Sequence, residues 1–312
     1  MNILSLFDGH STGYGALLDA GVKIDKYFAS EIEESAMKIS RHNYPDIISI
    51  GDVTKVDVKS LPKIDLIIGG SPCQGFSRAG KCLNFDDPRS ALFFEFVRIL
   101  NEERKINPDV KFMLENVRMK KDWEQVITDY MGVDPIHINS KLLSAQHRER
   151  EYWTNIEVQK IQDREILLSD ILEQVDTSNF VNHDGILMDP SFSESAKNLV
   201  SVVDGEVRIA QATKLGYIVA KDGDGINLDF PTSKSRRGRV IDQKSCTITR
   251  VLNSAGVYKD GVMRKFTITE LERLQALPDG YTDAPDVTLK ERQQAIGNGW
   301  TRSVIAHIFK GL

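Results

Sequence analysis

Five short apolar runs in the first 117 residues each end on a glycine, an acid or a cysteine, and this alternation constrains the fold more than any other feature. The runs are residues 3–7, 26–30, 47–50, 64–68 and 111–114, and each reads as a buried strand. Helical segments lie between them at 16–20, 33–43 and 90–100, the last with Ser90 as its cap. Strand and helix in alternation predict an open α/β sheet. In such sheets ligands and chemistry collect at the carboxyl ends of the strands, so the residues that end each run are the candidates for function.

The first strand runs into Asp8-Gly9-His10-Ser11-Thr12-Gly13-Tyr14-Gly15, a turn with three glycines that lets the backbone approach a nucleotide-like ligand. Glu31 ends the second strand, about 20 residues past those glycines, where an acid is placed to hydrogen-bond ribose hydroxyls. Asp52 ends the third and could accept from an exocyclic amine. Either acid could instead cap a helix, but two at successive strand ends after a glycine turn favour a ligand. The fourth strand leads into Gly69-Gly70-Ser71-Pro72-Cys73-Gln74-Gly75-Phe76-Ser77. Pro72 stiffens that loop and holds Cys73 in one orientation, which favours a nucleophile only modestly over the buried small hydrophobe that most free cysteines are. Glu115 ends the fifth strand on the same sheet edge.

Beyond these units, 136–143 and 152–156 read as further strands. With a period of two, Gln146, Arg148 and Arg150 share one face, three donors suited to carbonyl and phosphate oxygens, while His147 on the other face is structural. From 157 to about 233 short apolar runs are broken by Gly, Asn, Asp and Ser, the pattern of a smaller, mostly β module. Its Asp222-Gly223-Asp224-Gly225 is similar to a calcium loop but lacks the spacing and closing Glu, so it reads as turns. A helix at 269–277 and a closing helix at 301–309 follow.

The net charge of −5 excludes gross attraction to nucleic acid, yet nine basic residues against two acidic ones lie between Lys234 and Lys265. Such a local stretch matters more than the total for phosphate contact. Cys73, Cys82 and Cys246 are too few and scattered for a disulfide framework or zinc site, which suits a reducing cytoplasm. No apolar segment is long enough to span a membrane, and the first residues lack the basic region of a signal peptide.

Taken in order, the segments FDGHSTG, Glu31, Asp52, PCQGFS, ENV, QHRER, RRGRV and AIGNGW resemble the motif set of the DNA (cytosine-5)-methyltransferases over nearly the whole length. The phrases LSLFDG, FASEI, GGSPC, ALFFEF and YWTN are most similar to the catalytic domain of the animal de novo enzymes, and the closing GNG to bacterial and phage members. Ser11-Thr12 stands where the bacterial pattern has a further glycine. The resemblance implies a Rossmann-like S-adenosylmethionine-dependent fold, a mixed sheet with helices on both faces. The catalytic domain would comprise 1–156 and 266–312, with a small β target-recognition domain at 157–265.

It also implies roles. Phe7 packs on the adenine of S-adenosylmethionine, Thr12 and Gly13 line its methionine end, Glu31 holds the ribose and Asp52 the adenine amine. Trp300 closes over the same ligand, and Asp8, Gly9, Ile32, Val53, Pro72, Leu92 and Asn298 complete the cofactor set. Cys73 adds to carbon 6 of a flipped cytosine, Glu115 bonds ring nitrogen 3 and the amine, and Arg148 holds the carbonyl oxygen, with Gln146 and Arg150 as supports. Ser77, Arg78, Arg236 and Arg237 contact DNA, and Arg239 packs the recognition domain against the catalytic one. The implied partner is double-stranded DNA, without metal or membrane, for a monomeric cytoplasmic enzyme of bacterial or phage type.

Three other readings compete. A transfer-RNA cytosine methyltransferase shares this motif set, but its usual Cys-Phe-Thr segment is absent from the recognition region. A non-catalytic DNA-binding protein on the same fold leaves Cys73, Glu115 and Arg148 without a reason to be intact. A nicotinamide oxidoreductase, allowed by the first two strands, leaves the same three unexplained.

Overall fold

The computed structural model describes residues 1–72, 88–251 and 254–312, the first three of the middle segment by backbone alone. The chain opens with β1 (Asn2–Leu6), α1 (Thr12–Asp19), β2 (Lys26–Ser30), α2 (Glu34–Asn43), the two-residue β3 (Ile48–Ser49) and β4 (Leu66–Gly70). It continues through α3 (Pro88–Ile106), β5 (Lys111–Val117), α4 (Lys121–Met131), β6 (Ile136–Asn139) and β7 (Glu149–Thr154). These strands form one sheet in the order β3-β2-β1-β4-β5-β7-β6. The first five named are parallel, and β7 runs antiparallel to both its neighbours. The order reverses between β1 and β4, so a crevice opens above their carboxyl ends.

Two apolar clusters sandwich this sheet. One gathers Leu4, Ile67, Leu114 and Trp153 with Phe93, Phe96 and Ile127 from α3 and α4. The other gathers Ile3, Ile68, Met113 and Tyr152 with Ala16, Leu17 and the final helix. Alternate strand residues thus feed opposite faces, as the period of two requires. Trp153 is fully buried and still places its indole N–H on Thr128 Oγ1 at 2.9 Å, which removes the cost of burying the donor.

Several boundaries differ from expectation for local reasons. β4 lies two residues nearer the Cys73 loop than the apolar run suggests, because Ile64 is held by the side chains of Glu103 in α3 and Asn107 just after it. Its N–H donates to Glu103 Oε1 at 2.9 Å and its carbonyl accepts from Asn107 Nδ2 at 2.7 Å. α3 already includes Ser90, so Ser90 is not its cap. β6 stops at Asn139, whose side chain accepts from Lys141 N and turns the chain. Gln146 and Arg148 precede β7, so Gln146, Arg148 and Arg150 do not share one strand face.

The next segment carries β8 (Val181–His183), β9 (Ile186–Met188), α5 (Glu194–Lys197), β10 (Val200–Val203), β11 (Glu206–Ala210), β12 (Tyr217–Ala220), β13 (Asp224–Asn227), β14 (Arg239–Ile241), β15 (Ala255–Lys259) and β16 (Val262–Lys265). They make a three-stranded sheet, β10-β11-β12, and a six-stranded one, β14-β13-β15-β16-β9-β8, around a core of Ile209, Ile226, Leu228 and Met263. The chain closes with α6 (Ile268–Leu274), α7 (Leu289–Asn298) and α8 (Arg302–Phe309). Thr267 with Glu270, and Thr288 with Glu291, form capping boxes that start α6 and α7. No helix among the described residues is long and apolar enough to cross a membrane.

Candidate active site

A cavity of about 330 Å³ occupies the crevice above β1, β2, β4 and β5. Its lining includes Phe7, Asp8, Gly9 and Thr12 from the first turn, Glu31 after β2, Pro72 after β4, and Glu115 two residues before the end of β5. Arg148, Arg150, Asn298 and Trp300 complete it from the other side. The fold thus brings eleven of the expected site residues around one space.

The turn after β1 is held in an unusual shape. Phe7, Gly9 and Ser11 take φ values of 56°, 60° and 61°. A bulky residue in the left-handed region is strained, and such strain concentrates where a ligand is held. Asp8 anchors the turn from beneath: Tyr27 Oη donates to Asp8 Oδ1 at 2.7 Å, and Ser11 Oγ donates to Oδ2. Burial pushes the Asp8 carboxyl up to about 6, against the lowering effect of those hydroxyls. Ser11 is spent on Asp8 and Ser40, so no side chain caps α1, and its positive end faces the cavity. Glu31 locks the turn from the side, accepting from Gly9 N at 2.8 Å on Oε2 and from Ile32 N and Glu33 N on Oε1. Oε2 therefore keeps a lone pair for a ligand hydroxyl.

Glu115 faces the same cavity from β5. Its Oε1 lies 2.8 Å from Arg150 Nε and its Oε2 accepts from Trp300 Nε1 at 3.1 Å. Arg148 donates from Nη1 to Ile248 O at 2.8 Å and from Nη2 to Gly299 O at 3.0 Å. Gln146 does not line the cavity; it is fully buried behind it. Its Oε1 accepts from Ile248 N at 2.8 Å, and its Nε2 donates to Leu274 O and Gln275 Oε1 at 3.1 Å each. Gln146 and Arg148 thus grip Ile248 from both sides of its peptide.

Other expected contacts fall elsewhere. Gly13 is buried beside the cavity, where an added Cβ would lie 3.3 Å from Trp300 Cζ3. Asp52 accepts from Thr54 N at 2.9 Å and caps a short turn at Val53–Lys55, outside the cavity lining. Val53 and Leu92 pack on the α3 side of the sheet. Ile32 is 73% exposed and is not part of the lining. Cys73, Ser77 and Arg78, with Lys81 and Cys82, lie outside the described residues, as does the side chain of Arg89.

The basic stretch is not a single face. Arg264 is buried against Glu270 at 2.6 Å, Lys244 caps the carbonyls of Lys141, Ser144 and Ile166, and Lys259 pairs with Asp222 at 2.6 Å. Lys234, Arg236 and Arg239 are exposed, and Arg237 is half-buried with Nη2 on Gln211 O. Arg239 stands on β14, and Lys244 joins the second segment to the loop after β6 through the carbonyls of Lys141 and Ser144.

Sequence reasoning missed His10, Asn116, Gln275 and Thr301. Asn116 Nδ2 donates to Ser71 Oγ at 3.2 Å and holds the start of the Cys73 loop. Gln275 Nε2 reaches Ile296 O and Gly299 O, and Thr301 Oγ1 donates to Gln275 Oε1 at 2.8 Å, so a buried amide network supports the Gly299–Trp300 turn. Only the Asn in Glu115-Asn116-Val117 carried a local signal.

The sequence pattern of C-5 cytosine-specific DNA methylases matches residues 1–312. The chain is 30% identical over 277 residues to the type II methyltransferase M1.ScrFI of Lactococcus lactis subsp. cremoris, covering 83% of this chain and 65% of that one. It is 35% identical over 178 residues to the orphan methyltransferase M.SPRI of Bacillus phage SPR, covering 53% and 40%. It therefore spans less than two thirds of either relative. Among solved structures the fold matches the Entamoeba histolytica methyltransferase EhMeth with a TM-score of 0.69 at 18% identity, covering 98% and 96% of the two chains. The S. pombe Dnmt2 methyltransferase matches with a TM-score of 0.61 at 17% identity, covering 98% and 96%. With that pattern matching the whole chain, the protein belongs to the C-5 cytosine-specific DNA methylase family.

Proposed function

We propose that the chain transfers a methyl group from S-adenosylmethionine to carbon 5 of cytosine in double-stranded DNA. The observation that carries this reading is that Glu115, flanked by Arg150 and Trp300, faces the same cavity as Phe7, Thr12 and Glu31. One half of the cavity has the chemistry for the cofactor and the other half for a base.

The residues fit the cofactor. Phe7 offers an aromatic surface, the fixed Glu31 carboxylate keeps an acceptor for ribose, and the uncapped end of α1 suits a carboxylate. At about 330 Å³ the cavity falls in the roughly 300–1,000 Å³ range of small-molecule sites. When bound, S-adenosylmethionine supplies an electrophilic methyl group. Asp52, Ile32, Val53 and Leu92 belong to the proposal as outer contacts of the adenine side.

Carbon 5 of cytosine is a weak nucleophile, and addition of the Cys73 thiolate at carbon 6 converts the ring to an enamine that can be methylated. A free thiol has a pKa of about 8.5, so the site must favour the thiolate or remove its proton on attack. Glu115 bonds the ring nitrogen 3 and amine edge and stabilises charge as the adduct forms, and Arg148 orients the carbonyl edge. Loss of the carbon 5 proton and departure of the thiolate restore the aromatic ring. The base must leave the helix to reach this pocket, at a cost of a few kcal/mol. Residues 157–265 serve as the target-recognition domain, with 1–156 and 266–312 as the catalytic domain. Ser77 and Arg78 belong to the proposal as DNA contacts.

Nucleoside mass spectrometry after incubation with isotopically labelled S-adenosylmethionine tests the reading. Label in 5-methyldeoxycytidine from duplex DNA supports it; label confined to transfer RNA selects the RNA reading, and no label in either overturns both.

A further inference from the structure

One side chain touches both halves of the cavity. The Trp300 indole lies against Gly13 of the first turn at its six-membered ring, where an added Cβ would sit 3.3 Å from Cζ3. At its other end Nε1–H donates to Glu115 Oε2 at 3.1 Å. The bridge needs Gly70 beneath it, since a Cβ there would lie 2.9 Å from both Glu115 Oε2 and Trp300 Nε1.

The second partner of Glu115 is of a different kind. Arg150 Nε lies 2.8 Å from Oε1, but its N–H is not aimed along that contact, and Arg150 Nη1 donates instead to the carbonyl of Glu149 at 2.8 Å. Arg150 therefore supplies charge without direction. Among the described residues, the N–H aimed at the Glu115 carboxylate is the indole's. A carboxylate with a single directed donor takes its orientation from that donor.

We infer that Trp300 is a positioning residue for Glu115, setting the carboxylate that meets the target base and coupling its orientation to occupancy of the cofactor half of the cavity. The indole is only half-buried, and it is carried on the turn between α7 and α8 that Gln275 and Arg148 hold through Gly299 O. A ligand that moves the indole at Gly13 moves the N–H at Glu115. By linkage, cofactor-side and base-side binding then affect one another equally. This rests on Glu115 being the base-contacting acid of the proposed reaction.

Trp300→Phe keeps the ring and removes the donor. Its affinity for S-adenosylhomocysteine, read by calorimetry, should stay within about threefold of wild type. Single-turnover methyl transfer at saturating cofactor should fall roughly 10- to 100-fold, the worth of one hydrogen bond to a charged group. Gly70→Ala, which keeps both side chains but wedges them apart, should show the same split. A wild-type rate in Trp300→Phe, or a loss of affinity as large as the loss of rate, overturns the inference while leaving cytosine methylation standing. A readout independent of turnover decides the case where the wild type itself does not methylate. Three tryptophans give three indole N–H resonances, and the one lost in Trp300→Phe is assigned to Trp300. That resonance should move and exchange faster with water in Glu115→Gln, and an unchanged resonance contradicts the bridge.

Discussion

The imidazole of His10 occupies the space that any side chain at Gly299 would need: a Cβ there would meet His10 Nε2 at 2.3 Å. The two residues are far apart in sequence and belong to the first and last segments of the cavity lining. Tyr281 closes the same packing, its ring centroid 5.5 Å from that of His10 and its hydroxyl donating to His10 O at 2.7 Å.

Gly299→Ala should therefore destabilise the protein by about 1–3 kcal/mol through overpacking. His10→Ala should relieve much of that cost, because the two positions share one space. Urea denaturation of the two single variants and the double variant measures the coupling, and additive losses would show that the ring can move aside freely.

His10 also sets a pH dependence. Burial lowers its pKa from 6.5 to about 4, so the unfolded chain binds more protons than the folded one between those values. Its contribution is fully present above pH 6.5 and is lost as pH falls through 4. Asp8 acts in the opposite sense, since burial raises it from 3.8 to about 6 and its effect favours the folded state as pH falls through that window. His10→Gln should thus flatten the loss of stability between pH 6.5 and 5, by an amount on the order of 1–2 kcal/mol. Chemical denaturation at the two pH values checks it; an unaltered pH slope in the variant counts against a neutral buried imidazole.

Trp300→Ala should weaken S-adenosylhomocysteine binding about tenfold or more, since it strips apolar surface from the cavity wall. Asp52→Ala should weaken it less, because that side chain stands outside the lining and already caps Val53–Lys55. Calorimetry ranks the two, and the reverse order would place the adenine on the Asp52 side of the turn more firmly than the geometry allows.

Neutralising Lys234 and Arg236 together should weaken binding to every duplex alike and lower the salt slope by roughly one per lost phosphate contact. Both are exposed, with Arg236 lying 4.5 Å above the ring of Phe230. Arg237→Gln should instead cost stability, since it is half-buried on Gln211 O. Affinity against salt concentration for two unrelated duplexes separates the outcomes.

The sheet was legible because each apolar run is short and stops sharply, although Asp52 at the third strand end is spent on capping Val53–Lys55. Glu31 and Glu115 reach the cavity as expected. What was not legible depends on partners far along the chain. Gln146 looked like the first of three donors on a strand face, but its amide is spent on Leu274, Gln275 and Ile248, more than 100 residues away. The basic stretch looked continuous because sequence does not reveal that Arg264 is buried on Glu270 or that Lys244 caps three carbonyls. His10 carried no local signal, since its fit depends on the absence of a side chain at Gly299.

Bisulfite sequencing of genomic DNA from cells expressing the wild type or Cys73→Ser tests the central claim most directly. The account predicts cytosines protected at a recurrent sequence with the wild type and at none with the variant. It further predicts that S-adenosylhomocysteine binds both proteins with equal affinity. Protection that persists in Cys73→Ser, or a wild type that protects no cytosine while binding the cofactor, would contradict it.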